Sequence, residues 1–183
     1  DAFLVGNTST DSEVSSAFSL LGFVFTCSAP ITVTSFQVLA RCVVGTRNIV
    51  RNVALFERNS QNMLVLSVVD PAMSTIDPNG LFYTSFLEQP VNLQANVEYV
   101  LAAQSVPLDV LLGSSVQRET EFTSPIQFVS GAQTPNSSDM AFPSLFPANM
   151  PVFAAFEFRL TPVAPATVFG VETAHGGVGP SPF

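Results

Sequence analysis

Lysine is absent from this 183-residue chain, and so is tryptophan. All six basic residues are arginine, at positions 41, 47, 51, 58, 118 and 159. Lysine commonly guards exposed sheet edges, because its solvated charge opposes pairing with another chain. A β protein without it must cover its edges internally or use them for pairing. Charged residues of any kind make up 11% of the chain, where about 25% is usual for a soluble domain.

Other scarcities narrow the function. A net charge of −8 with six scattered arginines argues against nucleic acid, whose phosphates call for clustered cations. It argues equally against adhesion to an anionic membrane. No apolar run approaches the ~20 residues that span a bilayer as a helix. The densest stretch, residues 17–27, is broken by Ser19, Gly22 and Thr26. The single histidine, His175, sits beside Gly176 and Gly177, where nothing holds an imidazole as a catalytic triad requires. One histidine and two cysteines do not supply the three or four clustered ligands of a zinc site. Glu119 and Glu121 fall on one face of an extended segment, ~7 Å apart, and beside Arg118 they read as a solvated strand edge. No Asp-rich calcium loop and no phosphate-binding glycine loop is present. The expectation is a protein that is not an enzyme and carries no cofactor or metal.

Cys27 and Cys42 admit two readings. They fit an oxidised extracellular pair, closing a loop of about 15 residues at a gain of ~3 kcal/mol, or two buried thiols.

What is abundant is apolar and aromatic: 47% of residues are hydrophobic and 17 are Phe, enough for a sizeable core and too many for disorder. Strand signals recur every 10 to 15 residues, with no sustained helical period. They fall at 17–26, 31–40, 49–56, 63–69, 81–86, 91–93, 97–103 and 152–160, with weaker signals at 106–112 and 122–129. Within 31–40, Ile31 and Val33 share one face while Phe36, Val38 and Ala40 share the other. A β-bulge near Thr34–Ser35 is the expected cause of that change of phase. Asp77-Pro-Asn-Gly80 reads as a tight turn. Residues 130–151 hold four prolines and read as a long loop of the kind that often carries function. Eight to ten short strands with Pro, Gly and Asn punctuation predict an all-β antiparallel sandwich or jelly roll.

The ends differ from the middle. The predicted organisation is an N-terminal arm over 1–16, a β-sandwich domain over 17–161 and a Pro/Gly-rich tail over 162–183. Each arm carries a short apolar segment: Ala2, Phe3, Leu4 and Val5 at one end, and Val168, Phe169 and Val171 at the other. Such segments, flanked by polar or Gly/Pro linkers, suit donation of a strand to the open sheet edge of a neighbour. Head-to-tail donation builds a ring or a helical fibre. Two Asn-x-Ser sequons, at Asn7 and Asn136, mark candidate glycosylation sites in predicted loops. The start at Asp1, rather than Met, fits either removal of a signal peptide or a chain shortened in another way.

Four blocks stand out as a set: Gly22-Phe-Val-Phe-Thr26, Ile31-Thr-Val-Thr34, Val53-Ala-Leu-Phe56, and residues 90–102 (Pro-Val-Asn-Leu-Gln-Ala-Asn-Val-Glu-Tyr-Val-Leu-Ala). Together they resemble secreted bacterial β-sandwich domains of unknown function found in cell-surface and exopolysaccharide-associated proteins, often ahead of a C-terminal sorting signal. Where that family commonly has Gly in the turn before the Tyr strand, this chain has Asn96. The resemblance implies an extracellular or cell-surface location and no mechanism. Two functions stand as expectations. The first is a structural subunit that polymerises with copies of itself by terminal strand exchange. The second is a carbohydrate-binding module, against which count the absence of Trp, the presence of only Tyr83 and Tyr99, and the phase of Tyr99 with core residues.

Overall fold

The computed structural model describes residues 12–78, 80–112, 124–148 and 153–162. They form an all-β sandwich of ten strands: β1 (Ser12–Val14), β2 (Ser19–Cys27), β3 (Ile31–Leu39), β4 (Arg51–Glu57), β5 (Met63–Val69), β6 (Phe82–Leu93), β7 (Glu98–Ser105), β8 (Val110–Leu112), β9 (Ile126–Thr134) and β10 (Ala154–Leu160). A five-stranded sheet, β5-β4-β7-β2-β9, packs on a three-stranded sheet, β10-β3-β6, and β1 pairs with β8 as a separate ribbon. Every pairing is antiparallel. Single 3-10 turns at Ala40–Cys42 and Val44–Thr46 follow β3. Among the described residues no helix is long and apolar enough to cross a membrane.

The core follows from alternation. Phe23 and Phe25 of β2, Leu55 of β4, and Tyr99 and Leu101 of β7 point inward from the larger sheet, meeting Ile31, Val33, Phe36, Phe156 and Phe158 from the smaller one. The Phe25 and Phe156 rings lie 4.9 Å apart, within the range of favourable aromatic pairing. The predicted bulge is present. Against β10, Ser35 pairs with Glu157 and Val33 with Phe158, so Thr34 is the extra residue; against β6 the ladder breaks at the same place, between Val33–Val91 and Ser35–Phe86. One inserted residue rotates the pleat, which is how Ile31, Val33, Phe36 and Val38 all reach the same core.

Turns hold where the residue types dictate. Gly80 adopts φ 71°, its N–H donates to Asp77 O at 2.8 Å, and Asp77 Oδ1 accepts from the N–H groups of Leu81 and Phe82. Asn96, in the turn before β7, has φ 61° and donates its N–H to Cys27 O at 2.8 Å. Asparagine tolerates that left-handed conformation better than most residues with a side chain.

Several expectations are corrected. Residues 12–15 belong to the folded body rather than to a free arm: β1 pairs with β8, and the Ser15 N–H donates to Asp109 O at 2.8 Å. The segments 81–86 and 91–93 are one strand, β6, which leaves the ladder over residues 87–90 and rejoins it at Val91. The long loop begins later than expected, because 130–134 continue β9. Beyond Thr134 the chain turns back over the sheet instead of standing away from it. Met140, Phe142 and Phe146 pack on the outer face of the five-stranded sheet, over Val24, Ala54, Phe56, Val100, Ala102 and Ala132. That face is apolar because it is a second, smaller core.

Cys27 and Cys42 are both buried, unbridged thiols, so the disulfide alternative is not the one adopted. Cys27 ends β2 just before the turn into β3, whereas Cys42 lies beyond the far end of β3. Nine residues of strand separate the two ends by roughly 30 Å. A disulfide needs Cα atoms within about 7 Å.

Candidate functional site

A two-layer sandwich has four lateral edges, and this one treats them differently. The β9 edge is paired by its own chain: Gly131 N–H donates to Pro147 O at 2.8 Å, while Gln133 and Leu145 exchange two backbone bonds at 2.9 Å. Residues 144–147 thus act as a short extra strand. The β10 edge carries Glu157 and Arg159. The β6 edge is interrupted by its 87–90 excursion and contains Glu88 and Pro90, both devices that discourage pairing.

β5 has little comparable protection. Its sequence, Met-Leu-Val-Leu-Ser-Val-Val, contains no charge and no proline. It is the outermost strand of its sheet, so among the described residues one side of its backbone has no neighbouring strand. Its ladder with β4 is irregular only near the start, where Leu64 is skipped between Met63 and Val65. From Val65 to Val69 it pairs regularly. Leu66 and Val68 project from the outer face, opposite Ala54 and Asn52 of β4, and are 50% and 44% exposed.

β5 also forms one wall of a groove. The open flank of the sandwich lies between the β5 edge and the β6 edge, and a cavity of about 540 Å³ occupies it, lined by Val65, Leu66, Val68, Phe86, Leu87 and Glu88 among others. Phe86, at the point where β6 begins to leave the β3 ladder, is 73% exposed and borders this opening. The groove mixes these apolar groups with Ser67, Ser85 and Gln89, and a recess beside an unpaired backbone edge is what an incoming strand requires: main-chain partners for affinity, and space for alternate side chains.

A buried polar cluster lies near one end of this strand. Arg51, which pairs with Val69 at the last residue of β5, is fully buried with Asp109. Its Nε donates to Asp109 Oδ2 at 3.1 Å, and its terminal nitrogens donate to Thr46 Oγ1, Asp109 Oδ1 and Ile49 O. Asp109 also accepts from the Thr46 hydroxyl and the Val106 N–H. Asp109 is presented by a turn, 106–109, in which Leu108 takes φ 75° and Asp109 N–H donates back to Val106 O. The carboxylate and the guanidinium thus both have partners within the cluster, which pins the β1–β8 ribbon to β4. Neither residue stood out in the sequence. Their partnership spans 58 positions, and no local pattern reports it.

Of the predicted site residues, Ala2, Phe3, Leu4, Val5, Asn7, Val168, Phe169 and Val171 lie outside the described residues, as do Glu119, Glu121 and His175. Asn136 is exposed in the turn after β9, with φ 54°. Both tyrosines are inside. Tyr99 accepts the Gln94 N–H on its hydroxyl at 2.9 Å, and burial raises its pKa above the ordinary value. Tyr83 is 7% exposed beneath the Arg47 guanidinium. Burial pushes the Cys27 thiol up to about 12, which makes it a poor nucleophile at neutral pH. Among the described residues no three His, Cys, Asp or Glu side chains gather to hold a metal.

No family model matches this chain, and no curated protein matches it.

Proposed function

We propose that this protein is an extracellular structural subunit that assembles with copies of itself, head to tail, into a helical fibre by exchange of a terminal strand. The observation that carries the reading is the β5 edge. Among the described residues β5 is an uncharged, largely apolar strand with no neighbour on its outer side, in a domain whose β9 edge is covered by its own chain. A monomer gains nothing from such an edge and risks uncontrolled pairing through it. A polymer subunit uses it. The scarcity of charge fits surface that is covered in the assembly, and the exposed sequon at Asn136 fits a compartment where sugar can be attached. The four blocks that resemble secreted sandwich domains support the same location.

The test is sizing and negative-stain microscopy of the full chain against the chain lacking residues 1–11. Filaments that disappear on truncation are expected. A full-length chain that stays monomeric at all concentrations would overturn the reading. Sugar binding draws no comparable support, because Tyr83 and Tyr99 are both buried and neither presents a ring face for stacking.

A further inference from the structure

We infer that β5 is the acceptor edge, and that residues 2–5 of a second copy of this chain add to it as an extra strand. One face of the added strand fills the groove against Phe86 and Leu87, and the other covers Leu66 and Val68. This rests on the strand-exchange reading above and names its site and its donor.

The chemistry of the edge selects the occupant. A strand laid against β5 has one set of side chains in the groove and the alternate set beside Leu66 and Val68 on the outer face. The outer surroundings are apolar, whereas the groove sets Val65, Phe86 and Leu87 beside Ser67, Ser85, Glu88 and Gln89, so an occupant must be apolar on its outer face and free of acidic groups on its groove face. Ala2-Phe-Leu-Val5 is apolar at all four, and a slip of one residue still places apolar groups on both faces. The C-terminal candidate does not meet this condition. Residues 167–173 put Phe169 and Val171 on one face but Val168, Gly170 and Glu172 on the other. Either orientation sets the Glu172 carboxylate on the apolar stripe or in the groove that already holds Glu88. In a chain of net charge −8, an uncharged donor meeting an uncharged edge also avoids repulsion between copies.

The connection has the right length and character. Between Val5 and Ser12, where β1 begins, stand Gly-Asn-Thr-Ser-Thr-Asp, six polar or small residues. Fully extended they span roughly 20 Å, enough to cross from one body to an adjacent one while remaining solvated.

The test uses full-length chains. Chains with Leu4→Cys are mixed with chains carrying Leu66→Cys, and chains with Phe3→Cys with chains carrying Ser67→Cys, followed by mild oxidation. The native thiols are buried and do not compete. A disulfide joining two different chains is expected in at least one mixture. In parallel, Leu66→Lys with Val68→Lys places two charges at exposed positions. Filament mass is expected to fall at least tenfold while the urea midpoint stays close to that of the parent, as it does for surface changes. No cross-link between the two variants of a mixture, or cross-links only between copies of the same variant, overturns the assignment. Filaments unaffected by the two lysines also overturn it. If those filaments still vanish on loss of residues 1–11, strand exchange stands and only the acceptor is wrong. If they survive that loss too, the proposed function fails with it.

Discussion

At the scale of single residues, the low charge content of this chain conceals an ion pair with no exposed surface. Arg51 and Asp109 are both 0% exposed. Burying two charges is expensive, and a pair of this kind is held by its surrounding hydrogen bonds more than by attraction alone. Arg51→Met leaves a desolvated carboxylate, and Asp109→Leu leaves a desolvated guanidinium and an orphaned Val106 N–H. Each single change is expected to cost about 3–5 kcal/mol in urea unfolding, and the double change less than their sum, because the penalty of an unpaired charge vanishes. Strict additivity would show that the two groups act independently. The thiols give a second residue-scale outcome. Cys27 binds its proton more tightly folded, with a pKa of about 12, than at its ordinary 9.0. Its stability contribution is therefore complete below pH 9 and is lost as pH rises towards 12, with Tyr99 acting in the same direction. The unfolding midpoint should fall across that window, and the fall should be shallower in Cys27→Ala. Equal slopes would remove the thiol from the account. The separation of Cys27 from Cys42 was not legible in sequence, since both readings predict two inward-facing sulfurs. Only the path of β3 between them decides.

At the scale of elements, what the sequence made legible depended on whether a strand's reason for existing lay in its own residues. β5 begins and ends where its apolar run does, Met63–Val69, and the bulge at Thr34 announced itself through a change of phase. β1 did not, because Ser12-Glu-Val14 has no apolar period and is a strand only by virtue of pairing with β8. The 144–147 segment is the same case: Ser-Leu-Phe-Pro reads as loop until β9 lies beside it. A similar non-local constraint governs Gly22. A Cβ there would stand 1.8 Å from Leu101 O of β7, so β2 and β7 approach closely where Gly22 faces Ala102 and, on the other side, Ala132. Gly22→Ala is expected to destabilise the domain by about 3 kcal/mol, the upper range for overpacking, read as a drop in thermal midpoint without loss of β-sheet circular dichroism. A neutral result would mean that the two central strands can part without cost.

At the scale of the whole molecule, edge protection is asymmetric, and asymmetry of that kind determines the sort of assembly that can form. A self-complementary contact closes on itself as a dimer, whereas a donor at one site and an acceptor at another repeat without closing unless the rotation brings the chain back to its start. On the proposed exchange, residues 1–11 donate and the β5–β6 flank accepts, so each subunit of such a fibre would carry one of each, and each fibre would have two unlike ends. That polarity has a measurable consequence. A chain with Leu66→Lys and Val68→Lys keeps its donor and lacks an acceptor; it can join one end of a fibre and then stop it. A chain lacking residues 1–11 keeps its acceptor and stops the other end. Added in small proportion to the parent chain, either variant should shorten fibres far more than its share of the mixture, since one molecule ends the growth of many. The two variants added together should pair only through each other's intact surfaces, giving dimers from donor-only and acceptor-only chains. Fibre length falling only in proportion to the fraction of variant would indicate a contact in which both copies use the same face, and would replace a polar fibre with a closed or symmetric one.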